Sequence, residues 1–105
     1  MVSISGLSFA FPKNKVFQEE IKAIGRRLFS SKINFEKIAK VYDNSGVKKR
    51  FLVEELSWYI KEHSWSERNF LFKKNALCLL KQSISETIEK TNTQPEKIGG
   101  IVFVN

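Results

Sequence analysis

One stretch of the sequence decides the fold class, Ile98-Gly99-Gly100-Ile101-Val102-Phe103-Val104. A continuous apolar run of this length is typical of a β-strand that is buried on both faces. Such a strand lies inside an α/β sheet, with helices against it and further strands beside it. The run therefore predicts an α/β fold with an incomplete sheet, as if the sequence stopped before the fold is finished.

The segment before this strand predicts a long helix over about residues 66–90. Ser64 and Glu67 have the spacing of a capping box, in which two side chains bind the free amides at a helix start. Residues 91–95, which include a proline, break the helix. Its apolar positions recur at helical spacing and predict a buried stripe formed by Leu77, Leu80, Ile84 and Ile88.

The first half of the sequence predicts four shorter elements. Alternating residues over 3–11 predict a strand that Pro12 ends. Two helices follow, capped by Asn14 and Asn34, and residues 47–53 predict a strand after a turn at 43–46. Their inner faces are Phe17, Ile21, Ile24 and Leu28 in the first helix, and Phe35, Ile38, Ala39 and Tyr42 in the second. Residues 54–65 are rich in aromatic side chains and predict irregular structure.

Composition indicates one small globular domain with an uneven charge. The chain has 105 residues, of which 42% are hydrophobic and 28% charged, as in ordinary soluble proteins. Residues 1–50 hold 11 Lys and Arg against 4 Asp and Glu, whereas residues 51–105 hold 7 of each. The net charge of +7 therefore lies in the first half. Such a basic half indicates a polyanionic partner, which is a nucleic acid, an anionic surface or a phosphate-bearing cofactor.

Cysteine and histidine each occur once, as Cys78 and His63. A single Cys excludes an internal disulfide and a Cys-based zinc site, and the acidic residues lack ligand spacing, so we expect no metal. Cys78 lies in the middle of the long helix between two leucines, where a thiol behaves as a small buried hydrophobe. His63 has no sequence neighbour that would orient it as a general base, so we expect a structural role.

The sequence predicts neither secretion nor a membrane partner. Residues 1–6 lack the basic region of a secretory signal. No apolar run approaches the roughly 18 residues that a membrane span needs. We therefore expect a soluble, cytoplasmic protein.

Several segments carry a resemblance to a known family. Residues 35–51 are FEKIAKVYDNSGVKKRF, and the aromatic segments Leu56-Ser57-Trp58-Tyr59 and His63-Ser64-Trp65-Ser66-Glu67-Arg68-Asn69 follow. With the flanking residues 4–12 and 95–104, they resemble the chalcone/stilbene synthase-like, type III polyketide synthases, and the bacterial branch most closely. The element at residues 46–50 is shared with other condensing enzymes of the thiolase superfamily, whereas the Trp-containing segments favour type III.

The resemblance implies a thiolase-like α/β fold, a homodimer, and decarboxylative condensation of malonyl-CoA onto an acyl-CoA starter. It further implies that residues 1–105 are the N-terminal part of this domain, cut off before the catalytic Cys, His and Asn of the family. We therefore expect no catalytic residue in this chain and no activity of the chain alone. Coenzyme A thioesters are expected as substrates of the complete enzyme, with no permanently bound cofactor.

The resemblance also implies a contact with coenzyme A. In plant members of the family, basic side chains just before an Asp-x-Ser turn contact the phosphates, and these positions fall on Lys37, Lys40 and Asn44. The two lysines keep the positive charge and, three residues apart, are neighbours on one helix face. Asn44 departs from the basic residue of the family, so either phosphate binding is weaker there or another residue serves.

Two alternatives stay open. One is a condensing enzyme of the ketosynthase III or hydroxymethylglutaryl-CoA synthase type, which further sequence would distinguish. The other is a small basic nucleic-acid-binding module, built on Lys48-Lys49-Arg50 and the aromatic side chains Phe51, Trp58, Tyr59 and Trp65. No nucleic-acid-binding motif accompanies these residues, so we expect no nucleic-acid partner. The family resemblance instead implies that Arg50 is an internal structural or interface arginine.

Overall fold

The computed structural model describes residues 1–104, and Asn105 lies outside the described part. Residues 1–104 are mixed α/β, with four α-helices and one two-stranded antiparallel sheet. The elements are β1 (Asn14–Phe17), α1 (Gln18–Phe29), α2 (Phe35–Asn44), β2 (Lys49–Leu52), α3 (Leu56–Ile60), α4 (Trp65–Thr91) and a short 3-10 helix at Pro95–Lys97. The predicted mixture of helices and strands is confirmed.

The described residues divide into two compact units. One is Phe11–Leu71, which contains both strands, α1 to α3 and the start of α4. The other comprises Met1–Ala10 and the residues from Phe72 onward, including the rest of α4.

Strands β1 and β2 form an antiparallel ribbon in which Asn14 pairs with Leu52 and Phe17 with Lys49. The Asn14 side chain donates Nδ2–H to the carbonyl of Val53 at 3.0 Å. Helix α1 therefore begins after the strand, and the prediction of Asn14 as its cap is wrong. Pairing with β2 holds residues 14–17 extended, an interaction between distant residues that local spacing does not reveal.

The core of this unit lies where the ribbon, α1 and α2 meet. Val16 of β1 and Phe35 and Ala39 of α2 are at most 6% exposed. The Phe35 ring approaches Gly25 of α1, where an added Cβ would lie 2.9 Å from its Cε2 and Cζ atoms. Glycine inside a helix costs about 1 kcal/mol relative to alanine. At Gly25 its missing side chain admits the ring of the neighbouring helix.

The turn between α2 and β2 is built by Ser45 and Gly46. The Ser45 hydroxyl donates to the Tyr42 carbonyl at 2.9 Å and accepts the Val47 N–H at 3.2 Å. Gly46 has φ +70°, a left-handed conformation that glycine adopts without a steric penalty. Since α2 continues to Asn44, this turn begins later than predicted, whereas β2 lies within the predicted range of 47–53.

Helix α4 confirms the predicted long helix and its capping box. The N–H and hydroxyl of Ser64 donate to Glu67 Oε2 at 2.7 and 2.9 Å, and the Glu67 N–H donates to Ser64 Oγ at 3.1 Å. At the other end Asn92 has φ 50°, and the Thr93 N–H donates to the Ile88 carbonyl at 3.1 Å. This bond and the left-handed residue before it form a Schellman motif, which ends the helix at Thr91.

The segments 3–11 and 98–104 are not strands, so both predictions are wrong for this structure. Neither has a strand beside it among residues 1–104, and a strand persists only where a neighbour satisfies its backbone. Apolar side chains of the second segment are open to solvent, with Ile101, Val102 and Val104 at 78%, 91% and 85% exposure. An apolar pattern indicates a preference for burial and does not supply the partner strand.

The predicted buried stripe of α4 is also wrong. Leu77, Leu80 and Ile84 are exposed, and no residue of α4 is fully buried. In the same unit, the N-terminal segment approaches the end of α4, where a Cβ at Gly6 would overlap Thr91 Cγ2. Segment 54–65, predicted to be irregular, contains the short helix α3.

Candidate functional site

The inner face of α2 packs against the rest of its unit, so the opposite face of the helix is left to solvent. Phe35 and Ala39 are buried, and the Tyr42 ring lies 5.9 Å from the Phe35 ring. These three predicted inner positions are confirmed, whereas Ile38 is 42% exposed. Asn34 directly precedes the helix as predicted, but its side chain makes no capping hydrogen bond.

Opposite the inner face, Lys37, Lys40 and Asn44 form one exposed row, here called the basic stripe. Side chains three and four residues apart lie above one another on a helix, and the row spans about 10 Å at a rise of about 1.5 Å per residue. Within residues 1–104, neither lysine forms an ion pair with a carboxylate. The structure therefore brings together the three predicted site residues.

The acidic side chains of α2 are bound by cations of α1. Glu36 accepts Arg26 Nε–H at 2.6 Å, and Lys22 Nζ donates to both oxygens of Asp43 at 2.7 and 2.9 Å. Glu36 precedes Lys40 by four residues, a spacing that favours an ion pair on a helix. Because Arg26 holds Glu36, the charge of Lys40 stays uncompensated.

Hydrogen bonds shift the pKa values of Lys22 and Glu36. The hydrogen bond to Asp43 raises the pKa of Lys22. The hydrogen bond from Arg26 lowers the pKa of Glu36. In the two ion pairs, Lys22 with Asp43 and Arg26 with Glu36, the opposite charges balance. The positive potential of α2 consequently comes from Lys37 and Lys40.

A shallow groove of about 420 Å³ lies beside the C-terminal end of α2. It is lined by residues of β1 and α1, the end of α2 and the following turn, namely Phe17, Gln18, Glu19, Tyr42, Asp43, Gly46, Val47 and Lys48. Lys48 brings a cation to the turn that follows Asn44. Lys48 is therefore a candidate for the positive charge that the family has at position 44 and that Asn44 does not supply.

Gln18 is a buried polar residue that the sequence analysis missed, at 6% exposure. Its Nε2 donates to the Tyr42 carbonyl and to Ser45 Oγ, both at 3.3 Å, and its Oε1 accepts Arg50 Nε–H at 3.0 Å. Arg50 is exposed, but through this hydrogen bond it contributes to the structure of the unit. Local spacing contains no signal for Gln18, because its partners lie 24 to 32 residues away.

His63 and Cys78 show no catalytic geometry. The His63 ring stacks on Trp58 at 3.9 Å, and its Nε2 lies 2.9 Å from the Trp58 carbonyl. These contacts support the predicted structural role. Cys78 is exposed in α4, so the prediction of a buried thiol is wrong.

Residues 1–104 contain no cluster of three or more His, Cys, Asp or Glu side chains that could hold a metal ion. None of the helices in this part of the chain combines the length and the apolar character that crossing a membrane requires.

Comparison with protein-family models, with curated proteins and with solved structures finds no match to this chain. The family resemblance in the sequence therefore remains a prediction.

Proposed function

We propose that the chain is the N-terminal part of a thiolase-like condensing enzyme of the type III polyketide synthase kind, and that its basic stripe binds the phosphates of coenzyme A. The observation that carries the proposal is the uncompensated lysine pair of α2. Both carboxylates that flank it, Glu36 and Asp43, are held by α1. An ammonium group binds phosphate as a compact point charge, and two of them on one rigid helix hold two phosphate groups at a fixed spacing.

The exposed apolar segments are consistent with this proposal. Ile101, Val102, Phe103 and Val104 are 56% to 91% exposed, and the larger domain of the proposed enzyme would bury such apolar side chains. In the proposed enzyme, this segment and residues 3–11 are inner strands of a larger sheet. Their neighbours would come from the rest of the domain, and the second subunit of a homodimer would complete the assembly.

Isothermal titration of the chain with coenzyme A tests the proposed contact. Replacing both lysines, as Lys37→Gln with Lys40→Gln, should weaken binding at least tenfold, since hydrogen bonds to charged groups contribute about 1.5–3 kcal/mol each. Asn44→Lys should tighten binding because it adds a third cation to the stripe. Pantetheine, which lacks the phosphates, should not bind.

A matched control removes the same charge elsewhere in the unit. Lys15→Gln with Lys49→Gln changes two lysines on the ribbon and should leave the affinity for coenzyme A unchanged. An equal loss in this control, or equal binding of pantetheine, would contradict the proposal. Turnover of malonyl-CoA by the chain should be zero, because Cys78 and His63 lack the geometry of a nucleophile and its base.

A further inference from the structure

The β1–β2 ribbon has one face that the proposed function does not use. In the antiparallel register Lys15 pairs with Phe51, and Phe17 pairs with Lys49. Directly paired residues share a face, and so do residues two apart on one strand. Lys15, Phe17, Lys49 and Phe51 therefore lie together on one side, here called the ribbon face.

Side chains on the opposite side of the ribbon make contacts within the unit. Val16 is 6% exposed, and its partner Arg50 donates to the buried Gln18. The run Lys48-Lys49-Arg50 is therefore divided, since the exposed Arg50 lies on the Val16 side of the ribbon and Lys49 lies on the other side. The sequence alone does not predict that Lys15 and Lys49 share a face, because this depends on the register of the two paired strands.

Cations and aromatic rings alternate on the ribbon face. Lys15 Nζ lies 5.3 Å from the ring centroid of Phe17, and Lys49 Nζ lies 5.8 Å from that of Phe51. Phe17 is 54% exposed, whereas Phe51 is half-buried and its ring packs against the Phe11 ring at a centroid distance of 5.0 Å. Neither lysine forms an ion pair with a carboxylate within residues 1–104.

The alternation of cations and rings favours one kind of polyanionic partner over another. An anionic membrane surface would also accept these lysines, whose long side chains can keep the ammonium groups at the headgroups, but it offers the Phe17 ring no planar base on which to stack. A single-stranded nucleic acid offers phosphates and bases in alternation, which matches cations and rings on one small sheet. Base stacking on aromatic side chains and a cationic track for the backbone are the two elements of single-strand binding.

Contrary to the expectation from the sequence, we propose that the ribbon face binds single-stranded nucleic acid, with Lys15 and Lys49 contacting phosphates and the exposed Phe17 ring stacking on a base. The site shares no residue with the basic stripe and does not depend on coenzyme A binding. The two proposals are therefore tested by different variants, and one can fail without the other.

Fluorescence anisotropy of a labelled oligothymidylate of about 20 nucleotides, titrated with the full chain, measures the interaction. Lys15→Gln with Lys49→Gln should weaken binding and reduce the slope of log K against log salt by about 1.4, since each lost phosphate contact contributes about 0.7 on a single strand. Phe17→Leu keeps the apolar character but removes the ring, and should weaken binding about fivefold or more. Phe17→Trp should restore it.

Three outcomes would overturn the proposal. Lys37→Gln with Lys40→Gln removes the same charge from α2, and an equal loss of oligothymidylate binding there would mean that net charge alone is responsible. Equal binding of Phe17→Leu, with a far-UV circular dichroism spectrum like that of the original chain, would exclude stacking. Binding to vesicles of phosphatidylcholine and phosphatidylserine that depends on Phe17, without binding to oligothymidylate, would identify a membrane surface instead.

Discussion

Arg50 Nε donates a hydrogen bond to Oε1 of Gln18 at 3.0 Å, and this bond ties the inner side of β2 to the start of α1. The Gln18 N–H also donates to the Lys48 carbonyl at 3.0 Å, and its side-chain amide reaches the end of α2. One buried amide thus joins three elements of the unit that carries both proposed sites.

Replacing this amide should destabilise the unit. Gln18→Ala removes the three side-chain hydrogen bonds of a buried amide, so we expect a loss of about 1–3 kcal/mol in the free energy of unfolding, although water can replace the acceptor of the exposed Arg50. Urea denaturation followed by circular dichroism measures the loss. Gln82→Ala, at an exposed position of α4, is the control and should change little. Equal stability of the two variants would show that the buried network contributes nothing.

Gly25→Ala tests the close approach of α1 and α2. Alanine raises helix propensity by about 1 kcal/mol, but its Cβ would lie 2.9 Å from the Phe35 ring. Crowding of this kind costs about 1–3 kcal/mol, so we expect a net destabilisation of about 1 kcal/mol by urea denaturation. Gly100→Ala has no atom within 4 Å of its added Cβ and should not destabilise. A stabilised Gly25→Ala variant would mean that the helices separate without cost.

The elements that the sequence predicts well are those fixed by neighbouring residues. The Ser64–Glu67 capping box spans one turn, and Phe35, Ala39 and Tyr42 repeat at helical spacing. Lys37, Lys40 and Asn44 are candidate residues because of the family resemblance, and helical spacing predicts only that they share one face. The candidate site on α2 therefore depends on the resemblance as well as on local spacing.

The features that were missed depend on residues distant in the sequence. Asn14 enters a strand because β2 pairs with it, and the ribbon face exists only in that register. The strands predicted at 3–11 and 98–104 fail for the same reason, since strand formation needs a neighbour that residues 1–104 do not contain. Burial of α4 was overestimated because helical spacing identifies an apolar face without showing that anything covers it.

Cys78 should react readily with a thiol reagent in the native state. Its exposure on α4 gives dithionitrobenzoate access without unfolding, so we expect labelling at a rate similar to that in urea. The absorbance of the released thionitrobenzoate measures this rate, and Cys78→Ser supplies the blank. Strong protection in the native chain would mean that Cys78 is covered, as its position between two leucines predicts.

The start of α4 should lose stability in acid because of Glu67. Hydrogen bonds from the Ser64 N–H and hydroxyl lower the pKa of this carboxyl in the folded state. A lowered pKa means that the unfolded chain takes up a proton more readily, so the stabilisation is present at neutral pH. It begins to fade near the ordinary Glu pKa of about 4.3 and is lost as the pH falls through the lower folded value. Glu67→Gln keeps a side chain that can complete the capping box but cannot titrate there. Urea midpoints measured from neutral to acidic pH should therefore fall less steeply for this variant than for the original chain, and parallel curves would show that Glu67 does not contribute to the acid sensitivity.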